Sequence, residues 1–170
     1  MKKLIFGLIV SFGFWSCSEQ EPDMYTQNQL EFELFQSSTF DFRGNLEVRE
    51  LTNGSLELTL RMSGAKSYSD YSYPAHLHFG SYDEADSPIA HLLNPVSANN
   101  LKSVTVLGPL SDGSGLTFEQ MKIFDGHVKI HLANDGPDYG VILVSGNVGG
   151  NLSSEGNFDL RKIAVCGKSY

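Results

Sequence analysis

Two histidines separated by one residue, His76 and His78, have the spacing best suited to chemistry in this chain. On a β-strand, side chains two apart project from one face, with Cα atoms ~6.6 Å apart. Two imidazoles at that spacing can converge on one ion. Leu77 and Phe79 face the other way and can anchor the strand in a core. All five histidines lie between residues 76 and 131. The second cluster runs from Gly126 to Leu132. His127, Lys129 and His131 share one strand face there, and Val128, Ile130 and Leu132 share the other. His127 and His131 are roughly 13 Å apart along an extended strand. At most one of them joins the His76/His78 pair unless the strand bends. Lys129, between them, would repel a cation. The competing account is an outer sheet face of polar residues hydrogen-bonded to their neighbours. Imidazole-only ligation favours copper or zinc over calcium or magnesium.

Strands must position these rings, and the hydrophobic pattern predicts them. Leu30, Phe32 and Leu34 alternate with Glu31 and Glu33, the period of a half-buried strand. Leu46 and Val48 alternate with Glu47 and Arg49. Asn53-Gly54 follows, then Leu56, Leu58, Leu60 and Met62 alternating with Glu57, Thr59 and Arg61. Asn-Gly supplies the positive φ of a tight hairpin turn. Further strands are expected at residues 76–80, 89–93, 102–107, 127–133, 141–146 and 158–165, separated by Gly, Asp, Asn and Ser clusters. Only residues 116–124 read as helix, barely two turns. With 17 glycines and six prolines, the expected fold is an all-β Greek-key sandwich or barrel with at most one short helix.

The chain has 170 residues, of which 41% are apolar and 19% charged. That suits one domain plus a short extra segment and excludes a disordered polar chain. Lys2 and Lys3 precede an apolar run, Leu4 to Trp15, that is ~18 Å long as a helix and too short to span a bilayer. Residues 1–16 therefore read as a cleaved signal peptide. Two of the 12 basic residues leave with it, so 10 remain against 20 acidic ones, a net charge of −10. That balance argues against a nucleic-acid partner. Ser16-Cys17 after the apolar core resembles the lipobox of bacterial lipoproteins, although Trp15 departs from the residue usual there. The resemblance implies that Cys17 is acylated and becomes the new N-terminus. Residues 18–23, Ser-Glu-Gln-Glu-Pro-Asp, resemble an acidic surface-export tether. The expected organisation is signal 1–16, lipidated Cys17 and tether 17–28, and domain 29–170. The expected location is the bacterial envelope, anchored to the outer membrane by the N-terminal lipid. Cys166 is then the only thiol of the domain, and no internal disulfide is possible.

Ala75-His76-Leu77-His78-Phe79-Gly80, followed by Ser87 to Leu93, resembles the CHRD domain, with its HxHxG strand, turn and apolar strand. Residues 124–131 and 141–147 are similar to that family's closing histidine strand and return strand. CHRD domains are similar in turn to the Cu/Zn superoxide dismutase sandwich. That resemblance implies copper ligands at His76, His78 and His131. It implies a fourth at His91, which precedes Asn94-Pro95. It also implies an anion-guiding role for Arg161, in a C-terminal stretch ending at Cys166-Gly167. The departures are plain. No zinc histidines follow Asn94 before His127, Cys166 lacks a disulfide partner, and Arg161 is two residues too far from it. The acidic chain offers little steering for an anion beyond Lys129 and Arg161. The leading expectation is a lipid-anchored CHRD-like module, not an enzyme, with a copper site on the HxH strand. Two alternatives are a copper-dependent dismutase without the zinc site, and a surface module binding polymer or protein through Tyr68, Tyr71 and Tyr73. The acidic loops 81–86 and 134–138 lack the spacing of a calcium loop and read as turns.

Overall fold

Alternating strands close on themselves. The computed structural model describes residues 24–165, and Cys17, Cys166 and the signal segment lie outside them. Eight strands are found: β1 (Tyr25–Gln36), β2 (Arg43–Leu51), β3 (Leu56–Ser63), β4 (Ser72–Phe79), β5 (Ile89–Ser97), β6 (Lys102–Val106), β7 (Asp125–His131) and β8 (Ile142–Gly149). They form a closed antiparallel barrel in the order β1-β2-β3-β6-β5-β4-β7-β8. Strands β4, β5 and β6 run as a meander and β7 returns to lie beside β4, which is a Greek key. Closure removes the free edges an open sheet would expose.

The Asn53-Gly54 turn behaves as its sequence predicts. Gly54 has φ +84°, and Asn53 Oδ1 accepts from the Ser55 amide at 2.9 Å. Strands β2 and β3 then pair in unbroken register, with Leu46 opposite Leu60 and Val48 opposite Leu58. These leucines and valines point inward with Leu77, Val128, Ile130 and Val144 to form one core. The barrel closes where Phe35 meets Ser145. Gly146 is required there, because a Cβ at that position would strike the Glu33 carbonyl oxygen.

One short helix, α1 (Phe118–Ile123), plugs an end of the barrel with Phe118 and Met121 buried. Thr117 and Gln120 exchange side chain to backbone bonds in a capping box. The helix thus occupies the core of the predicted 116–124 segment.

Two expectations differ from the structure. The strand register begins at Tyr25 rather than Gln29, so the end of the expected tether is ordered sheet. Tyr25 Oη donates to Glu57 at 2.9 Å, Thr26 and Asn28 both donate to Glu50, and Arg49 lies over the Tyr25 ring. Residues 158–165 form no strand. Once β8 pairs with β1 the barrel offers no edge to extend. The segment instead takes a single 3-10 turn, Leu160–Lys162, capped by Asp159. Phe158 anchors it, stacked on Phe35 at 4.8 Å and packed against the tilted ring of Tyr82 at 4.7 Å.

Leu77 carries the alternation that aims His76 and His78 outward, and it is completely buried. Leu77→Ala is expected to destabilise the domain by about 2–5 kcal/mol, read as a lower urea midpoint with an unchanged m-value.

Candidate metal centre

The HxH strand sits between two others, and the pairing builds two rows across three strands. His76 stands opposite Lys129 on β7, which stands opposite Ser145 on β8. His78 stands opposite His127, which stands opposite Asn147. All six side chains point away from the core, yet all are buried. The loop after β4, the turn after β7 and residues 150–165 cover them. This outer face is a second, polar interior.

The cover is fastened by named bonds. Lys129 Nζ donates to the Ala164 carbonyl at 2.7 Å. The Ala164 amide donates to the Tyr82 carbonyl at 3.1 Å, and the Asp159 amide to Tyr82 Oη at 3.1 Å. Asn147 Oδ1 accepts from the Tyr82 amide at 2.9 Å, and its Nδ2 donates to Ser81 Oγ at 3.0 Å. Gly80, with φ +72°, starts this loop, and a Cβ there would collide with the Glu84 carboxylate.

Three of the histidines meet. One ring nitrogen from each of His76, His78 and His131 lies within 4.8 Å of the others. A metal with N-ligand bonds of about 2.0–2.1 Å needs nitrogens roughly 3.3–3.5 Å apart, so small ring rotations complete the site. The neighbouring carbonyls select the atoms. His131 Nδ1 donates to the Tyr139 carbonyl at 2.8 Å, and the two rings stack at 4.6 Å. His131 Nε2 is left buried without a hydrogen-bond partner. His78 Nδ1 lies 3.1 Å from the Ser87 carbonyl, so a metal bond would be made through its Nε2. On His76 the buried, unpartnered atom is Nδ1. A carbonyl on one ring nitrogen fixes the tautomer and leaves a lone pair on the other, the usual arrangement of a metal-binding imidazole. Buried polar atoms without partners cost about 1–3 kcal/mol each, and a shared metal would satisfy them together.

Electrostatics keep these rings neutral. Burial pushes His76 down to about 3, helped by repulsion from His131, His78 and Lys129. Burial also lowers His78 to about 3, with His127 next in effect. His127 falls to about 3 through burial and Lys129. His131 is lowered by burial first, against the opposing pull of the Tyr139 carbonyl. Neutral imidazole is the ligating form, so no proton must leave before a metal binds at neutral pH.

The remaining predicted residues fall elsewhere. His127 stacks on His78 at 4.7 Å and bonds the Gly80 carbonyl through Nδ1, outside the trio. The four-residue spacing thus lets one histidine of β7 join, and it is His131. His91 is not a member either. Its Nδ1 lies 3.2 Å from the Pro109 carbonyl, because an irregularity in the β4–β5 pairing sets Leu92, not His91, opposite His76. Arg161 closes both arms of its guanidinium on Asp159 at 2.9 Å, and so is committed within its own turn. The tyrosine patch is broken: Tyr68 is exposed, Tyr73 is in the core, and Tyr71 Oη donates to the Leu132 carbonyl at 2.6 Å. The sequence reading missed the Ser87, Gly80 and Tyr139 carbonyls, since a backbone oxygen has no residue signature. Comparison of the chain with protein-family models, curated proteins and solved structures returns no match.

The depressed histidines set a pH dependence. They stay neutral when folded, whereas the unfolded chain takes up protons below about 6.5. Their contribution is therefore fully present above about pH 6.5 and is lost as pH falls toward about 3. Metal-free protein is expected to lose on the order of 1 kcal/mol per histidine per pH unit below 6. Urea midpoints at pH 7.5, 6.0 and 5.0 measure this, and a flat profile contradicts it.

Proposed function

We propose that this protein is a lipid-anchored envelope module that holds one copper ion at His76, His78 and His131. The observation that carries the reading is the buried trio, whose His76 Nδ1 and His131 Nε2 have no other partner. Three neutral imidazoles suit copper or zinc. The absence of any carboxylate from the trio argues against calcium and magnesium. Lys129 adds positive charge beside the rings, which favours the lower-charged cuprous ion over a divalent one. The Ser87 and Tyr139 carbonyls would hold two ligands in the ligating tautomer. The anchor is proposed from Ser16-Cys17 and the acidic stretch after it. The CHRD-like relationship rests on the HxHxG strand and the Greek-key order.

We do not extend the proposal to superoxide dismutation. Arg161 is engaged by Asp159, and the chain carries a formal charge of −8, or −10 without Lys2 and Lys3, which slows approach of an anion.

Full-length protein loaded with copper and dialysed should retain one copper per chain by elemental analysis. A His76→Ala/His78→Ala double variant that keeps its β-sheet circular dichroism should lose at least nine-tenths of it. Retention of zinc in preference to copper would correct the metal, and wild-type protein that retains neither would overturn the reading.

A further inference from the structure

His76 belongs to two features at once. Its Nδ1 is buried in the trio, and the residue is 5% exposed where His78 and His131 are fully buried. It also lines an outer cleft of about 280 Å³ that runs between the start of β4 and the second half of β5. Pro74, Ala75, Leu92, Leu93 and Pro95 are its apolar wall. Ser72 and Asn134 are its polar members beside His76. Among the described residues no charged side chain lines it.

From this we infer that the cleft is a binding pocket for a small uncharged molecule that carries one donor atom on an apolar body, the donor directed past His76 to the metal. The inference rests on the copper reading. Three imidazoles leave a fourth position for an outside ligand in a tetrahedral site. A cleft of this size holds a body of one aromatic ring or a short thioether. Its walls of proline and leucine reward apolar surface, while Ser72 and Asn134 offer hydrogen bonds at the mouth. Charge at the mouth disfavours an anionic ligand. Asn134 leads directly into Asp135, and Asp138 follows on the same exposed turn. The cation closest in sequence to the trio, Lys129, is buried and turned toward the Ala164 carbonyl.

Leu92 gives the test. It stands opposite His76 in the β4–β5 register and is 63% exposed, so substitution there changes the cleft wall without removing a core contact or a ligand. Copper-loaded full-length protein is titrated with pyridine and with 4-ethylpyridine, followed by its electronic and electron paramagnetic resonance spectra. The added ethyl group should tighten binding roughly tenfold if the cleft wall covers it. Leu92→Asp should keep its copper stoichiometry and cut that preference at least threefold. Because the donor pair is the same in both proteins, the difference in ring basicity cancels. Leu92→Trp should fill the cleft and weaken both ligands. Copper bound normally, with the ethyl preference unchanged in Leu92→Asp, overturns the pocket and leaves the metal site standing. Failure of the wild type to hold copper overturns both.

Discussion

Neutral imidazoles in a dry layer are the constraint around which this molecule is arranged. A barrel strand ordinarily has one wet face. Strands β4, β7 and β8 have none, because Leu77, Val128 and Val144 face the core while His76, Lys129 and Ser145 face a cover. Every polar group on that outer face must find a partner within the protein or lose hydration without compensation. Ser145 Oγ donates to the Val128 carbonyl, and Asn147 ties down the loop after β4. His78, His127 and His131 each set Nδ1 against a backbone carbonyl, whereas His76 Nδ1 and His131 Nε2 stay buried without a partner. The candidate site is the place where the layer leaves polar atoms unsatisfied.

Closure of the barrel makes this possible. A sheet that wraps fully has its main-chain bonding complete within the strands, so the loops and the C-terminal segment are free to lie across it. They would otherwise compete for an open edge. The Greek-key order puts β4 next to β7 although they are far apart in sequence. That adjacency brings His131 to the HxH pair.

Strand alternation and the Asn53-Gly54 turn were legible in the sequence because each is a local rule: period two, and positive φ at a glycine. The HxH pair was legible for the same reason, since neighbouring positions on a strand share a face. That His127 and His131 could not both join it followed from strand rise alone. What was hidden was non-local. An apolar stretch such as 158–165 has strand-like composition, but whether it pairs depends on whether an edge remains. His91 lost its predicted place to a pairing irregularity between β4 and β5, which no spacing rule anticipates. Tyr73 looked like part of a surface patch with Tyr71, and the two rings do meet at 5.5 Å, yet Tyr73 is buried in the core while Tyr71, just before β4, stays exposed.

Residues 150–165 are tied down by few bonds: Ala164 and Asp159 to Tyr82 in the loop after β4, and Ala164 to Lys129 and Ser153 to Asn147 on the barrel, with the Phe158 ring as a wedge. Breaking those contacts lifts one side of the cover, over Lys129, while every rung of the eight-stranded ladder stays intact. Hydrogen exchange in this tail should therefore run far ahead of global unfolding. An ion could then slip inside a protein that never melts, past a hatch held by a few bolts at Lys129, Tyr82 and Phe158.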